Sequence, residues 1–317
     1  MSVGLRVSVV VALNHHEHPE EIVRRLAAQT ADPASFEAVL VDGDPRRDGS
    51  EAVAAVKRET GIRSSLRYLR ALGRGRAGML NVGVSETRGE AVLFFAGDGL
   101  PPPHFVERHA AFHAEHPDPL DAIIGPVLFD ETMRADPYRR WLEDSGRLFG
   151  VSFTRPDPAA LSRFWYVANT SVKRALLARV GRFDESFDLA GDDEDMARRL
   201  FGAGMRVHYR EDTALLHDHE VSPAERRRLL HQAGRAAAHT FATDPDPWWA
   251  AKVRHSSFTM ARRALTARVA ATILGGEARR ERAWTLAADA AFAAGYRSAH
   301  PRTRTQNGSK PPAIDAG

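Results

Sequence analysis

The residues of this sequence best suited to chemistry are carboxylates placed where apolar runs stop. Asp42 ends the run FEAVLV, Asp98 follows AVLFFAG, and Asp192-Asp193-Glu194-Asp195 precedes a helical stretch. Any one of them alone reads as a turn or helix cap. Three at the same kind of boundary point to a shared ligand edge. A crowded acidic run raises the pKa of one member, which suits a general base. His217-Asp218-His219 follows the last short apolar run. Histidine beside a carboxylate suits a divalent cation, with Asp98 as oxygen ligand, although two histidines on a loop look the same in sequence. His15-His16-Glu17-His18 is richer in ligand types but runs into Pro19, so it reads as a solvated loop and helix start. DGDPRRDG fails as a calcium loop, because Arg46 and Arg47 occupy the places of a ligand and of the turn glycine.

GRGRAG, Gly73 to Gly78, formally matches the dinucleotide pattern G-x-G-x-x-G. That pattern belongs at the first strand-to-helix turn, which here is the glycine-free ALNHHEHP. A loop whose Arg74 and Arg76 touch phosphate is the better reading, and a dinucleotide-dependent oxidoreductase the lesser one.

The elements that must position these residues alternate. Arg6 to Leu13 is an apolar, β-branched strand, and Pro19 opens a helix to about Ala28. Phe36 to Val41, Ser65 to Leu69 and Ala91 to Phe95 read as strands, separated by helices over Glu51 to Thr60 and Gly78 to Thr87. A helix is expected after PPPHF, and one further strand over Ala122 to Phe129. Residues 130–163 read as a mobile loop-and-helix segment. A helix over Glu194 to Ala203 and short strands over Arg206 to Tyr209 and Ala214 to Leu216 complete the pattern. Such alternation predicts an α/β fold, a mostly parallel sheet flanked by helices, with ligands beyond the carboxyl ends of the strands. From Ser222 to about Gly295 the sequence reads as helix, and the tail after His300 as disordered.

Composition narrows the classes. The chain has 317 residues, 43% hydrophobic and 27% charged, which excludes wholesale disorder. A net charge of +3 argues against a nucleic-acid coat. With no cysteine, metal ligands are limited to oxygen and imidazole, and a reducing, cytoplasmic setting is expected. No run approaches the ~18 apolar residues of a membrane helix. Trp248-Trp249 and Phe258 to Leu274 suit a helix packed on the main domain, or one resting peripherally on a membrane or a partner, a second copy in a homodimer included.

In order along the chain, VSVVVAL…LAAQT, FEAVLVDGD, RAGMLNVGVSETRGEAVLFFAGDG, WYVANTSVKRALLARVGRFDESF and GDDEDMARRLFGAGMRVHY resemble the family 2 glycosyltransferases. The resemblance runs from about Val7 to His219. It implies a GT-A, Rossmann-like domain over residues 1–220, leaving a helical extension over 221–298 and a tail over 299–317. It implies a nucleotide-sugar donor contacted by Ala12, Asn14, Asp42, Arg76, Asn81, Gly97 and Asp98. It further implies a divalent cation, Mg or Mn, on Asp98 and His217, Asp193 as general base, and Trp165 and Asp192 on the acceptor side. The acceptor, whether a sugar, a lipid-linked sugar or a small natural product, is left open. Ala96 stands where the family's D-x-D element has its first acid, Gly43 where a second acid follows the second strand, Ala12 for a proline and Leu80 for an arginine. These departures keep a non-catalytic nucleotide- or glycan-binding relative as the alternative to a metal-dependent inverting transferase.

Overall fold

A computed structural model of the chain describes residues 5–13, 17–62, 64–187, 190–240 and 276–299. By its internal contacts the chain forms two compact units, Met1–Arg226 and Arg227–Gly317.

The first unit is built on a seven-stranded sheet. Its strands are β1 (Val7–Leu13), β2 (Phe36–Asp42), β3 (Ser65–Arg70), β4 (Ala91–Phe95), β6 (Asp121–Ile124), β8 (Asn169–Lys173) and β9 (Arg206–Tyr209). They lie in the order β3-β2-β1-β4-β8-β6-β9. β1 to β4 run parallel, β8 runs antiparallel to both β4 and β6, and β6 pairs parallel with β9. β1, β2 and β4 are buried almost throughout, as strands covered on both faces must be. The crossover helices are α1 (Pro19–Ala27), α2 (Ser50–Thr60) and α3 (Arg76–Ser85). α1 opens on proline and two glutamates and closes on two arginines, which suits its dipole. α3 presses Met79 against Val39, Val41 and Ala71, with Ala12 and Leu69 beside them, directly beneath the carboxyl edge of the sheet.

After β4 the chain forms β5 (Gly99–Leu100) and α4 (Phe105–Glu115), and β6 leads to β7 (Val127–Leu128). The single strand expected over 122–129 is therefore two strands in different sheets. Gly125-Pro126 breaks the run, since proline cannot donate to a ladder. β7 joins β5 and β10 (Leu215–His217) in a small second sheet of order β5-β10-β7. Residues 130–163 hold three short helices: α5 (Glu131–Arg134), α6 (Pro137–Asp144) and α7 (Pro158–Leu161). Each is N-capped by an aspartate, Asp130, Asp136 and Asp157 in turn.

β8 is followed by α8 (Arg174–Val180) and α9 (Asp192–Gly202). Its sequence, NTSVK, is polar yet wholly buried. Its polar side chains find partners outside the strand. Ser171 Oγ lies 2.8 Å from both His109 Nδ1 and His113 Nε2 on α4, and Lys173 Nζ donates to the His113 carbonyl at 2.9 Å. The described parts of the helical region are α10 (Pro223–Thr240) and α11 (Gly276–Ala299). There Gly234 meets the backbone of Phe292, and Gly295 that of His231, so only glycine fits where the two helices touch. The expected segment around Trp248-Trp249 and Phe258 to Leu274, and the tail, lie outside the described residues.

Candidate active site

The order β3-β2-β1-β4 reverses direction at β1, so the crevice beyond the carboxyl ends of β1 and β4 is where an open α/β sheet takes a ligand. Three groups of predicted residues lie at or near that edge.

The first is Asp98 with His217. Asp98 sits in the turn between β4 and β5. His217 ends β10 and pairs with Gly99, while Asp218 N donates to the Asp98 carbonyl at 2.8 Å. Asp98 Oδ2 and His217 Nε2 are thereby held 3.4 Å apart. Asp98 Oδ1 and His217 Nδ1 are buried with no hydrogen-bond partner. Buried polar atoms are normally satisfied, so this pair has coordination to spare. Among the described residues no group of three or more His, Asp or Glu side chains is arranged to hold a metal ion. An acid and an imidazole suit a divalent cation whose other ligands come from phosphate and water, the usual habit of Mg.

The second is Arg76 with Asp192 and Asp193. Arg76 is the first residue of α3, and the two acids open α9. Arg76 Nε donates to Asp192 Oδ2 at 3.0 Å and Nη2 to Asp192 Oδ1, a bidentate pair, and Nη2 also lies 3.3 Å from Asp193 Oδ1. Asp192 is 1% exposed, whereas the Asp193 side chain is 21% exposed. Burial pushes the Asp193 carboxyl up to about 6, Arg76 opposes the rise, and Asp192 and Glu194 add to it. Burial works against the charge on Arg76, and the two aspartates more than offset it. The guanidinium expected at the donor phosphates is thus committed to the acids of α9.

The third is Asp42, fully buried at the end of β2. It accepts from Tyr68 Oη, from Arg70 Nη1 at 2.8 Å and from Asp44 N at 2.8 Å. Arg70 is its register partner on β3 and also donates to the carbonyls of Arg47 and Asp44. Burial, then the bond to Asp42, pushes Tyr68 up to about 12. Sequence reasoning passed over Tyr68 and Arg70, although the alternation in β3 places residues 68 and 70 on one face.

The other predicted residues have the following surroundings. Asn81 donates to the Phe183 carbonyl and to Glu185, both at 2.9 Å, and accepts from Phe183 N at 2.8 Å, pinning the 181–187 loop to α3. Trp165 is 2% exposed and packs edge-on to Phe94 and stacked on Phe183. Ala12 is the penultimate residue of β1, and its carbonyl faces Gly97. Asn14 lies outside the described residues. Gly73 and Gly75 lie in the turn into α3, the third strand-to-helix turn, with Gly75 at the N-cap and Gly78 already inside the helix, and Gly73 has φ +72°. That is not the first turn a dinucleotide fingerprint needs.

Comparison with known proteins bears on the family and the fold. Residues 9–165 match the family model described as Glycosyl transferase family 2, and residues 92–296 match Glycosyl transferase family group 2. No curated protein matches. Among solved structures, the mannosyltransferase PcManGT from Pyrobaculum calidifontis, in complex with GDP-Man and Mn2+, superposes with a TM-score of 0.66 at 20% identity, covering 95% of this chain and 88% of that one. S. aureus TarS 1-349 in complex with UDP-GlcNAc gives 0.51 at 15% identity, covering 93% and 90%. Likenesses this remote establish the GT-A fold. Together with the family models, which between them run through both units, they place the chain: it belongs to the family 2 glycosyltransferases and is a glycosyltransferase.

Proposed function

We propose that the protein transfers a sugar from a nucleoside diphosphate donor to an acceptor hydroxyl, with inversion, and that it uses a divalent cation, Mg or Mn. The observation that carries this reading is the pair Asp98 and His217, held 3.4 Å apart at the ligand edge with one buried atom of each unsatisfied. These two side chains would hold the cation, which when bound neutralises charge on the departing diphosphate. The Mn2+ in the PcManGT complex is that protein's own and lends support only by likeness of fold.

Asp193 is the base in this proposal. Its carboxyl, raised to about 6, is ionised at neutral pH yet basic enough to take the proton of an attacking hydroxyl. Asp192, locked by Arg76, positions the first turn of α9 that presents Asp193. The acceptor oxygen attacks the anomeric carbon opposite the leaving diphosphate, and a single displacement inverts the configuration. Residues 130–163, whose α6 carries Tyr138 tilted against Trp141, and the helices beyond Ser222 are where acceptor choice would reside. The domain division at about residue 220 belongs to the same proposal, as does peripheral contact with a membrane. No described helix is long and apolar enough to cross one.

The test is a panel of nucleotide sugars with Mg or Mn and a panel of sugar and lipid-linked acceptors, reading nucleoside diphosphate release and the anomeric configuration of the product by NMR. Release coupled to an inverted product, lost in Asp193→Asn, is expected. Donor binding without turnover on any acceptor would favour the non-catalytic alternative, and a retained configuration would exclude the single displacement.

A further inference from the structure

Arg226 stands in the first turn of α10, within the first compact unit, and is half-buried. Its Nε is buried with no hydrogen-bond partner. Among the described residues no acid faces its guanidinium, and the groups that act on its charge are Tyr138 and Arg147. Burial pushes its pKa down to about 10 from the ordinary 12.5, with Tyr138 opposing the fall and Arg147 adding to it. The arginines of the 130–163 segment are placed differently. Arg134 pairs with Glu143 at 2.8 Å and Arg139 with Glu220 at 3.5 Å. A desolvated cation without a counter-charge is costly to fold, which points to an anion brought from outside. The place is next to the ligand edge. Arg147 follows α6 and lies over the Trp141 ring, 6.0 Å from its centroid. Two residues on, the Phe149 ring meets His217 edge-on at 5.8 Å.

We infer that Arg226 anchors a subsite for an oxyanion, a phosphate or carboxylate group carried by the acceptor, with Tyr138 and Arg147 as its neighbours. This rests on the transfer reading above. A guanidinium presents its N–H donors in a planar fork that matches both kinds of oxyanion, and such bonds are charge-assisted. The donor's diphosphate is not the occupant, because in that reading the cation on Asp98 and His217 meets its charge. Arg226 belongs instead with the segment that carries Tyr138 and Arg147, on the side given to the acceptor. An uncharged acceptor would leave the guanidinium without the anion that its burial calls for.

The experiment compares the full chain with Arg226→Met and Arg226→Lys, using inorganic phosphate as the probe and chelator to silence the cation site. The parent's melting temperature should rise saturably with phosphate, beyond the effect of chloride at matched ionic strength. Arg226→Met removes an unpaired charge and keeps the stem, so without phosphate it should melt at or above the parent. By calorimetry it should bind phosphate about tenfold to a hundredfold more weakly, the range of a charge-assisted hydrogen bond. Arg226→Lys, a point charge without the fork, should fall between. Phosphate should still bind when GDP or UDP with Mn is saturating. In turnover, Arg226→Met should raise KM for phosphorylated and carboxylated sugar acceptors at least tenfold without raising KM for the donor. A lower melting temperature in Arg226→Met, or phosphate binding equal to the parent's, overturns the subsite. Displacement of phosphate by the nucleoside diphosphate overturns its assignment to the acceptor. A parent chain that binds no nucleoside diphosphate overturns the transfer reading, which the phosphate measurements do not depend on.

Discussion

Replacing Arg76 with methionine separates the charge of this residue from its length. In the native arrangement Nη2 lies 3.3 Å from Asp193 Oδ1 while the same side chain grips Asp192. At that distance, with an effective dielectric of about 20, the attraction is on the order of 5 kcal/mol. Water entering at Asp193, which is 21% exposed, and a proton shared with Asp192 both reduce what is felt. A rise of about one to two pKa units, roughly 1.4 to 3 kcal/mol, is the expected remainder. Asp193 starts at about 6, so the variant's base would titrate near ~7 to ~8. A base works only when ionised. The acid limb of the kcat profile should therefore move to higher pH by that amount. At pH 6 the variant should be roughly fivefold to fiftyfold below the parent, and it should recover much of its rate near pH 9. Stopped or continuous assay of diphosphate release across pH 5 to 9.5 reads this directly. An unshifted acid limb, with the rate lowered equally at every pH, would refute the electrostatic role and leave Arg76 as a packing residue.

Other substitutions test other parts of the account. Asp193→Asn removes a carboxyl whose folded pKa is raised. The native group favours folding below its unfolded value near 3.8 and loses that advantage as pH rises through about 6. The variant should accordingly be more stable than the parent at pH 8, by about 1 to 2 kcal/mol after allowing for exposure, with the gap closing below pH 4 in urea titrations. Ser171→Ala would strip His109 and His113 of their shared partner, and a loss of about 1 to 3 kcal/mol by chemical denaturation is expected. Asp42→Ala would leave Arg70 without its carboxylate partner beneath the loop after β2. A loss of about 3 to 5 kcal/mol is expected, and Asp42→Ala/Arg70→Met should recover part of it.

The parallel half of the sheet was legible because each strand is an uninterrupted apolar run closed by turn residues, as in VSVVVAL and AVLFF. β8 was not, because Asn169, Thr170, Ser171 and Lys173 look solvated until their partners arrive from Pro126, Ile123 and α4. Periodicity reads burial as apolarity and fails where a strand is both polar and buried. The break at Gly125-Pro126 is visible in the sequence, since proline cannot donate to a ladder. At the site, the acids at strand and helix ends were visible as residue types, but their partners were not. Arg76 and Asp192 are 116 residues apart, and only the fold joins them. Tyr68 and Arg70 carry no motif.

The central claim, a cation-assisted donor site at the β1–β4 edge, is tested most directly by nucleoside diphosphate binding to the parent chain, Asp98→Ala and His217→Ala, each with Mn and with chelator. The account predicts that the parent binds at least tenfold more tightly with Mn. Asp98→Ala should bind weakly under both conditions, His217→Ala should fall between, and all three should keep the same circular dichroism. Tight binding that is indifferent to chelator and unchanged in Asp98→Ala would contradict it.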